Sequence, residues 1–195
     1  MRETIITRET RETDITLSLA LEGSGEISIE TGVAFFDHML EAMGRHGLFD
    51  LTVRASGDLS VDAHHTVEDV GIVFGQAIAS CLGDKKGIKR FGDACIAMDE
   101  ALVLAAVDIS GRGQVHWDVQ LPIEFIGSFD TSLFKEFLIA LATNAGITLH
   151  VRSLCGENAH HIIEAAAKAI ARALSEAVLL DTRILDRIPS TKGLI

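Results

Sequence analysis

The chain is short of cationic charge: 17 Lys and Arg stand against 28 Asp and Glu, a formal net charge of −11. That balance repels a phosphate backbone and excludes nucleic acid as the expected partner. Long apolar runs are also missing; none approaches the roughly 18 uncharged residues that a membrane span needs. The opening MRETIITRETRETD carries charges where a signal peptide would be apolar, so the expected location is the cytoplasm, away from membranes. Cysteine is scarce and odd in number. Cys81, Cys95 and Cys155 lie far apart, which excludes a disulfide framework and leaves reduced thiols as the expectation. Only two prolines occur, and no Pro- or Ser-rich linker divides the chain.

What is present fits a globular protein. Of the 195 residues, 48% are apolar and 23% charged, enough to bury a core as one domain or as two halves without metal or disulfide staples. A metal in such a chain would therefore be functional. The eight histidines include two adjacent pairs, His64-His65 and His160-His161. At this histidine content random placement gives fewer than one such pair.

The pairs mark an internal duplication. LTVRASGDLSVDAHHTVED from Leu51 aligns without gaps on ITLHVRSLCGENAHHIIEA from Ile147, at an offset of 96. Phe36-Asp37 answers Phe129-Asp130 at an offset of 93, and Glu12 answers Glu100 at 88. The joint falls near Lys89 to Asp93, giving halves 1–90 and 91–195 within one compact domain. Each half reads strand, strand, helix, strand, helix. TDITLSLAL (13–21) alternates like a strand with one wet face, whereas ALVLAAVDI (101–109) is apolar on both faces like a buried strand. Helices are predicted over 38–46, 64–82, 131–144 and 160–180, with Asp37 and Asp130 as N-caps of the first and third. The fold class is α+β, with the helices packed between two sheets.

Each long helix opens with His-His-x-x-Glu: His64, His65 and Glu68, then His160, His161 and Glu164. Positions i and i+4 share a helix face while i+1 points elsewhere, so one motif can feed two metal ions. A pseudo-twofold axis would pair His64 and Glu68 with His161, and His160 and Glu164 with His65. Imidazole plus carboxylate suits Mn, Fe, Co, Ni or Zn, and no cysteine lies near enough to indicate a thiolate site. A lone pair at a helix start would more often be a cap, but the repeated glutamate favours ligands. His38 is a further candidate; His46 and His116 read as surface residues, His150 as a weak candidate, and Glu136 stands in an otherwise apolar segment. Three basic islands, 83–90, 110–112 and 190–193, combine cations with Gly or hydroxyl residues, as binding of a small phosphorylated anion requires. These features would serve a dinuclear phosphate-ester hydrolase as well as a lyase, and a ferritin-like metal store is the non-catalytic alternative.

Longer motifs carry a specific resemblance. FFDHML (35–40), DAHHTVEDVGI (62–72), GIKRFG (87–92), MDEAL (98–102), DISGR (108–112), FDTSLFKEF (129–137), NAGITLHVR (144–152), ENAHHIIEAAAKAIARAL (157–174) and IPSTKG (188–193) resemble the imidazoleglycerol-phosphate dehydratase family of histidine biosynthesis over nearly the whole chain. The resemblance implies a cytoplasmic enzyme, a 24-subunit homo-oligomer and active sites shared between subunits, each with two Mn ions. The reaction it implies is loss of water from D-erythro-imidazole glycerol phosphate to give imidazole acetol phosphate, with the ring held as imidazolate between the ions. The implied metal ligands are His38, His64, His65, Glu68, Glu136, His160, His161 and Glu164; most members of the family carry His where this chain has Glu136. Substrate contacts are implied at Glu12, His38, His46, Arg90, Arg112, Lys168, Ser190 and Lys192, with catalytic roles for Glu12 as general base and for His64, Glu68, His160 and Glu164. Gly113 stands where the family usually has Pro, which predicts a looser loop around Arg112.

Overall fold

A computed structural model describes residues 2–195. The first half runs β1 (Glu3–Glu9), β2 (Thr13–Ala20), β3 (Ile27–Glu30), α1 (Ala34–Gly47), β4 (Asp50–Gly57) and α2 (His64–Leu82). The second runs β5 (Phe91–Met98), β6 (Ala101–Asp108), β7 (Gln114–Asp118), a small β8–β9 hairpin (Phe125–Ile126 and Phe129–Asp130), α3 (Ser132–Ala145), β10 (Thr148–Cys155) and α4 (Ala159–Val178). The sheets are ordered β1-β2-β4-β3 and β5-β6-β10-β7, so the halves share one topology. In each the first three neighbours pair antiparallel and the last strand pairs parallel.

Alternation sets the layers. Ile15, Leu17 and Leu19 of β2 and Val103, Ala105 and Val107 of β6 point inward, while the intervening residues do not. The helices cover these inner faces and meet across the halves, α2 on α3 and α1 on α4. One contiguous core results, with Phe36, Phe49, Phe74, Phe134 and Phe137 fully buried. The outer sheet faces lie open: Leu104 on β6 is 36% exposed. This corrects the expectation of a strand buried on both faces, because helices cover only one. No helix among the described residues is long and apolar enough to cross a membrane.

The fit is close where α2 meets α3. A Cβ on Gly71 would lie 2.6 Å from the carbonyl oxygen of Phe137, and one on Gly75 would lie 2.4 Å from that of Leu141. Bare glycines let the backbones approach. Helix α1 begins four residues before the predicted start. Asp37 is not its N-cap: the carboxylate instead accepts from the backbone N–H and hydroxyl of Thr31 and pins the preceding turn. Asp130 is not the N-cap of α3 either, which is Thr131; from one residue earlier its carboxylate accepts the backbone N–H of Ser132.

Candidate metal centre and anion pocket

Both histidine pairs are delivered by the same local device. Asp62 accepts the backbone N–H of His64 at 2.8 Å, and Asn158 accepts that of His160 at 2.9 Å. Each Asx side chain satisfies one of the free N–H groups at a helix start. The following turn then projects imidazoles from the N-terminal ends of α2 and α4.

At α4 these groups converge with α1. His38 Nε2 lies 3.3 Å from Glu164 Oε2, and His160 Nε2 lies 3.2 Å from the same oxygen. Among the described residues this is the one trio whose donor atoms all lie within 4.8 Å of one another. Phe35 packs edge-on against His160, with ring centroids 5.1 Å apart, and supports the imidazole. Burial would raise the Glu164 carboxyl, but Lys168, 2.7 Å away, and His38 together outweigh it and hold the group below its ordinary value. A buried carboxylate with two imidazoles aimed at it is a donor set that suits Mn or a similar divalent ion.

The trio opens into a cleft of about 360 Å³ lined by His38, Glu41, Arg45, His46, Glu164 and Lys168. His46 is therefore a cleft residue as well as an exposed one, and burial followed by the charges of Lys168 and Arg172 lowers its pKa. At α2, His64 Nε2 stands 3.8 Å from Glu68, both half exposed. His65 and His161 join neither group within one chain, and Glu136 is half-buried on α3 outside the trio. His116 and His150 stack on each other across the β7–β10 pairing, 4.2 Å between centroids, away from these residues.

His65 and His161 are held by carboxylates. The Nδ1 of His65 donates to Asp58 at 3.0 Å, with Glu12 further off at 3.8 Å. His161 Nδ1 donates to Glu100 Oε2 at 2.7 Å, and Glu100 Oε1 accepts the backbone N–H groups of Glu157 and Asn158. The His161 hydrogen bond and those amides hold the Glu100 carboxyl down at about 2, and both histidines are raised, chiefly by their carboxylate partners. Asp58 was not among the predicted site residues. It lies just past the end of β4 and carries no motif of its own.

The basic islands meet in part. Arg90, Ser110, Gly111, Arg112, Ser190, Thr191 and Lys192 line a pocket of about 300 Å³. Arg90 is already engaged there, donating to Asp108 at 2.7 Å and to the carbonyl of Pro189 at 2.9 Å. It fixes the tail, leaving Arg112 and Lys192 as the cations able to meet an anion. Lys86 and Lys89 pair with Asp84 and Glu176 on the surface instead. Gly113 does not loosen this region: its Cα seats against α3, where a Cβ would fall 2.3 Å from Thr143 Cα.

The duplicated α+β fold and the carboxylate–imidazole trio describe a protein of two fused halves with a group of side chains that could hold a metal ion, unlike a ferritin-like helical bundle. Comparison with known proteins gives the family. The family model for imidazoleglycerol-phosphate dehydratase matches residues 31–174. Relatives of that name include those of Cereibacter sphaeroides strain KD131, 56% identical over the full length of both chains, and Dinoroseobacter shibae, 57% identical over 99% of each. The crystal structure of the Staphylococcus aureus enzyme is 37% identical, covers 92% of this chain and 99% of its own, and superposes with a TM-score of 0.84. That of the Pyrococcus furiosus protein is 38% identical over 97% and 100% of the chains, with a TM-score of 0.85. The chain belongs to the imidazoleglycerol-phosphate dehydratase family and is a hydro-lyase of histidine biosynthesis.

Proposed function

We propose that the chain dehydrates D-erythro-imidazole glycerol phosphate to imidazole acetol phosphate with two Mn ions per site, in a cytoplasmic homo-oligomer whose sites are shared between subunits. The observation that carries this reading is the convergence of His38, His160 and Glu164. One chain holds two partial donor sets, this trio and the His64–Glu68 pair, which supports completion by groups from a neighbouring copy: His65, His161 and Glu136. Manganese held by these residues would stabilise the imidazole ring of the substrate in its anionic form, the form able to expel the hydroxyl of the adjoining carbon.

The remaining work falls to side chains. The proton to be removed sits on a carbon beside no carbonyl and becomes acidic only once the neighbouring, ring-bearing carbon has lost its hydroxyl as water; the base then takes that proton while the C–H electron pair flows toward the ring. Glu12 is the candidate: it is exposed at the β1–β2 turn, and its carboxylate lies beside His65 without being consumed by a closer contact. Lys168 balances the Glu164 charge beside the cleft, His46 lines the opposite wall, and Ser190, Arg112 and Lys192 offer a hydroxyl and two cations to the phosphate. The 24-subunit assembly belongs to the same reading.

The test measures metal content, dehydratase turnover and particle size on one preparation. Chelation should abolish turnover, keep the secondary structure and release smaller assemblies, and Mn should restore all three properties. Full turnover by metal-free protein would overturn the reading.

A further inference from the structure

The second histidine of each pair is oriented by a carboxylate, and the two carboxylates come from non-equivalent positions. In the first half it is Asp58, at the end of β4. In the second it is Glu100, at the β5–β6 turn. The strand registers set Val53 beside Leu17 and Val151 beside Ala105, with Leu154 at a bulge in β10, and among the described residues those that follow β10 supply no carboxylate to His161. The repeat places Glu12 opposite Glu100, so the first half carries a second acid at its hairpin tip. Asp58 also ties the two together, because its backbone N–H donates to the carbonyl of Glu12 at 3.1 Å.

A carboxylate has no proton to give, so the proton shared with each imidazole resides on Nδ1, and Nε2 is left with its lone pair. That nitrogen is the one able to bind a metal, and a hydrogen-bonded carboxylate fixes both its direction and its basicity. We infer that Asp58 and Glu100 are positioning residues that hold His65 and His161 in the Nδ1–H form with Nε2 presented to a divalent ion. The exchange of roles leaves Glu12 uncommitted. This inference rests on the metal-dependent reading above.

The test is Mn affinity, read by titrating the assembled protein with the metal alone, for wild type, Asp58→Leu, Glu100→Gln and Glu12→Gln. Asp58→Leu removes the carboxylate that bonds His65. It and Glu100→Gln should each weaken Mn binding by about 10–100-fold, with circular dichroism unchanged. Glu12→Gln should bind Mn as wild type does. Should Glu100→Gln misfold for want of its two backbone contacts, Asp58→Leu decides, since the Asp58 carboxylate bonds to nothing but His65. Wild-type affinity in Asp58→Leu and Glu100→Gln would overturn the inference alone, whereas a wild-type protein that binds no Mn would overturn the metal reading and the inference with it.

Discussion

The β1–β2 and β5–β6 hairpins end in the same glutamate, and the two carboxylates have diverged. Glu100 is bound on both oxygens, by His161 and by two backbone amides. Glu12 has no partner nearer than His65 at 3.8 Å. A duplicated site needs each orienting contact twice but each chemical group once, so the copy relieved by Asp58 is the one available for proton transfer. Removing the Glu12 charge is therefore expected to have the largest kinetic effect. Glu12→Gln should lower kcat by about 10²–10⁴ with Mn stoichiometry unchanged, whereas Glu164→Gln should lose turnover and bound Mn together. Near-normal turnover by Glu12→Gln, measured alongside metal content, would show that the two hairpin carboxylates had not divided their roles.

A second divergence lies just beneath. Asp69 of α2 is buried, accepts from Arg8 Nε at 2.9 Å and from the Thr13 hydroxyl at 2.5 Å, and so ties the base of the Glu12 hairpin to the helix bearing His64 and His65. The repeat sets Ala165, Ile96 and Ala101 against these three residues. The second half thus fastens its hairpin with apolar contact where the first uses charge. Breaking one side of a buried polar set leaves the others unsatisfied, so Asp69→Ala should cost about 2–4 kcal/mol by denaturant unfolding. The triple change Arg8→Ile, Thr13→Ala, Asp69→Ala, which installs the apolar set of the other half, should recover at least half of that loss. No recovery would mean that the ion pair is irreplaceable at this hairpin.

Much of this was legible before any coordinates. The 3.6-residue periodicity and the repeat located α2, α3 and α4 within two residues of their observed ends, and the His-His-x-x-Glu motifs marked the helix starts. Strands β3 and β7 escaped notice because four or five residues such as ISIE carry too few alternations to stand out from loop. The partition of the ligands was not legible either. Which Nε2 atoms share a space depends on α1 crossing α4, a packing fact that no local spacing encodes. Asp58 follows Gly57 in a turn with no motif of its own, so nothing in the sequence set it apart.

The helices differ in the same paired way. Where α2 has Gly71 and Gly75 against α3, the repeat gives α4 Ala167 and Ala171. Gly75→Ala should destabilise by about 1–3 kcal/mol, because its methyl group meets backbone that cannot yield without moving α3. Ala171→Gly should cost only about 1 kcal/mol of helix propensity. Equal melting shifts for the two variants would remove the claim that α2 and α3 approach more closely than their counterparts.

The smallest expected effect concerns a thiol. Cys81 on α2 is 7% exposed, and burial pushes its pKa up to about 11; its counterpart on α4 is Ala177. An acid whose folded pKa is raised favours the folded state only while it stays protonated. Stability from this source is therefore intact below the unfolded pKa near 9, and declines as the unfolded chain ionises between pH 9 and 11. Cys95 and Cys155 are exposed and should react with a thiol reagent at pH 8, whereas Cys81 should react only after denaturation. Cys81→Ala gives the first half the residue of the second. Unfolding midpoints at pH 8 and pH 10 should fall further apart in wild type than in Cys81→Ala, and an identical pH dependence in both would show that the thiol does not couple to folding.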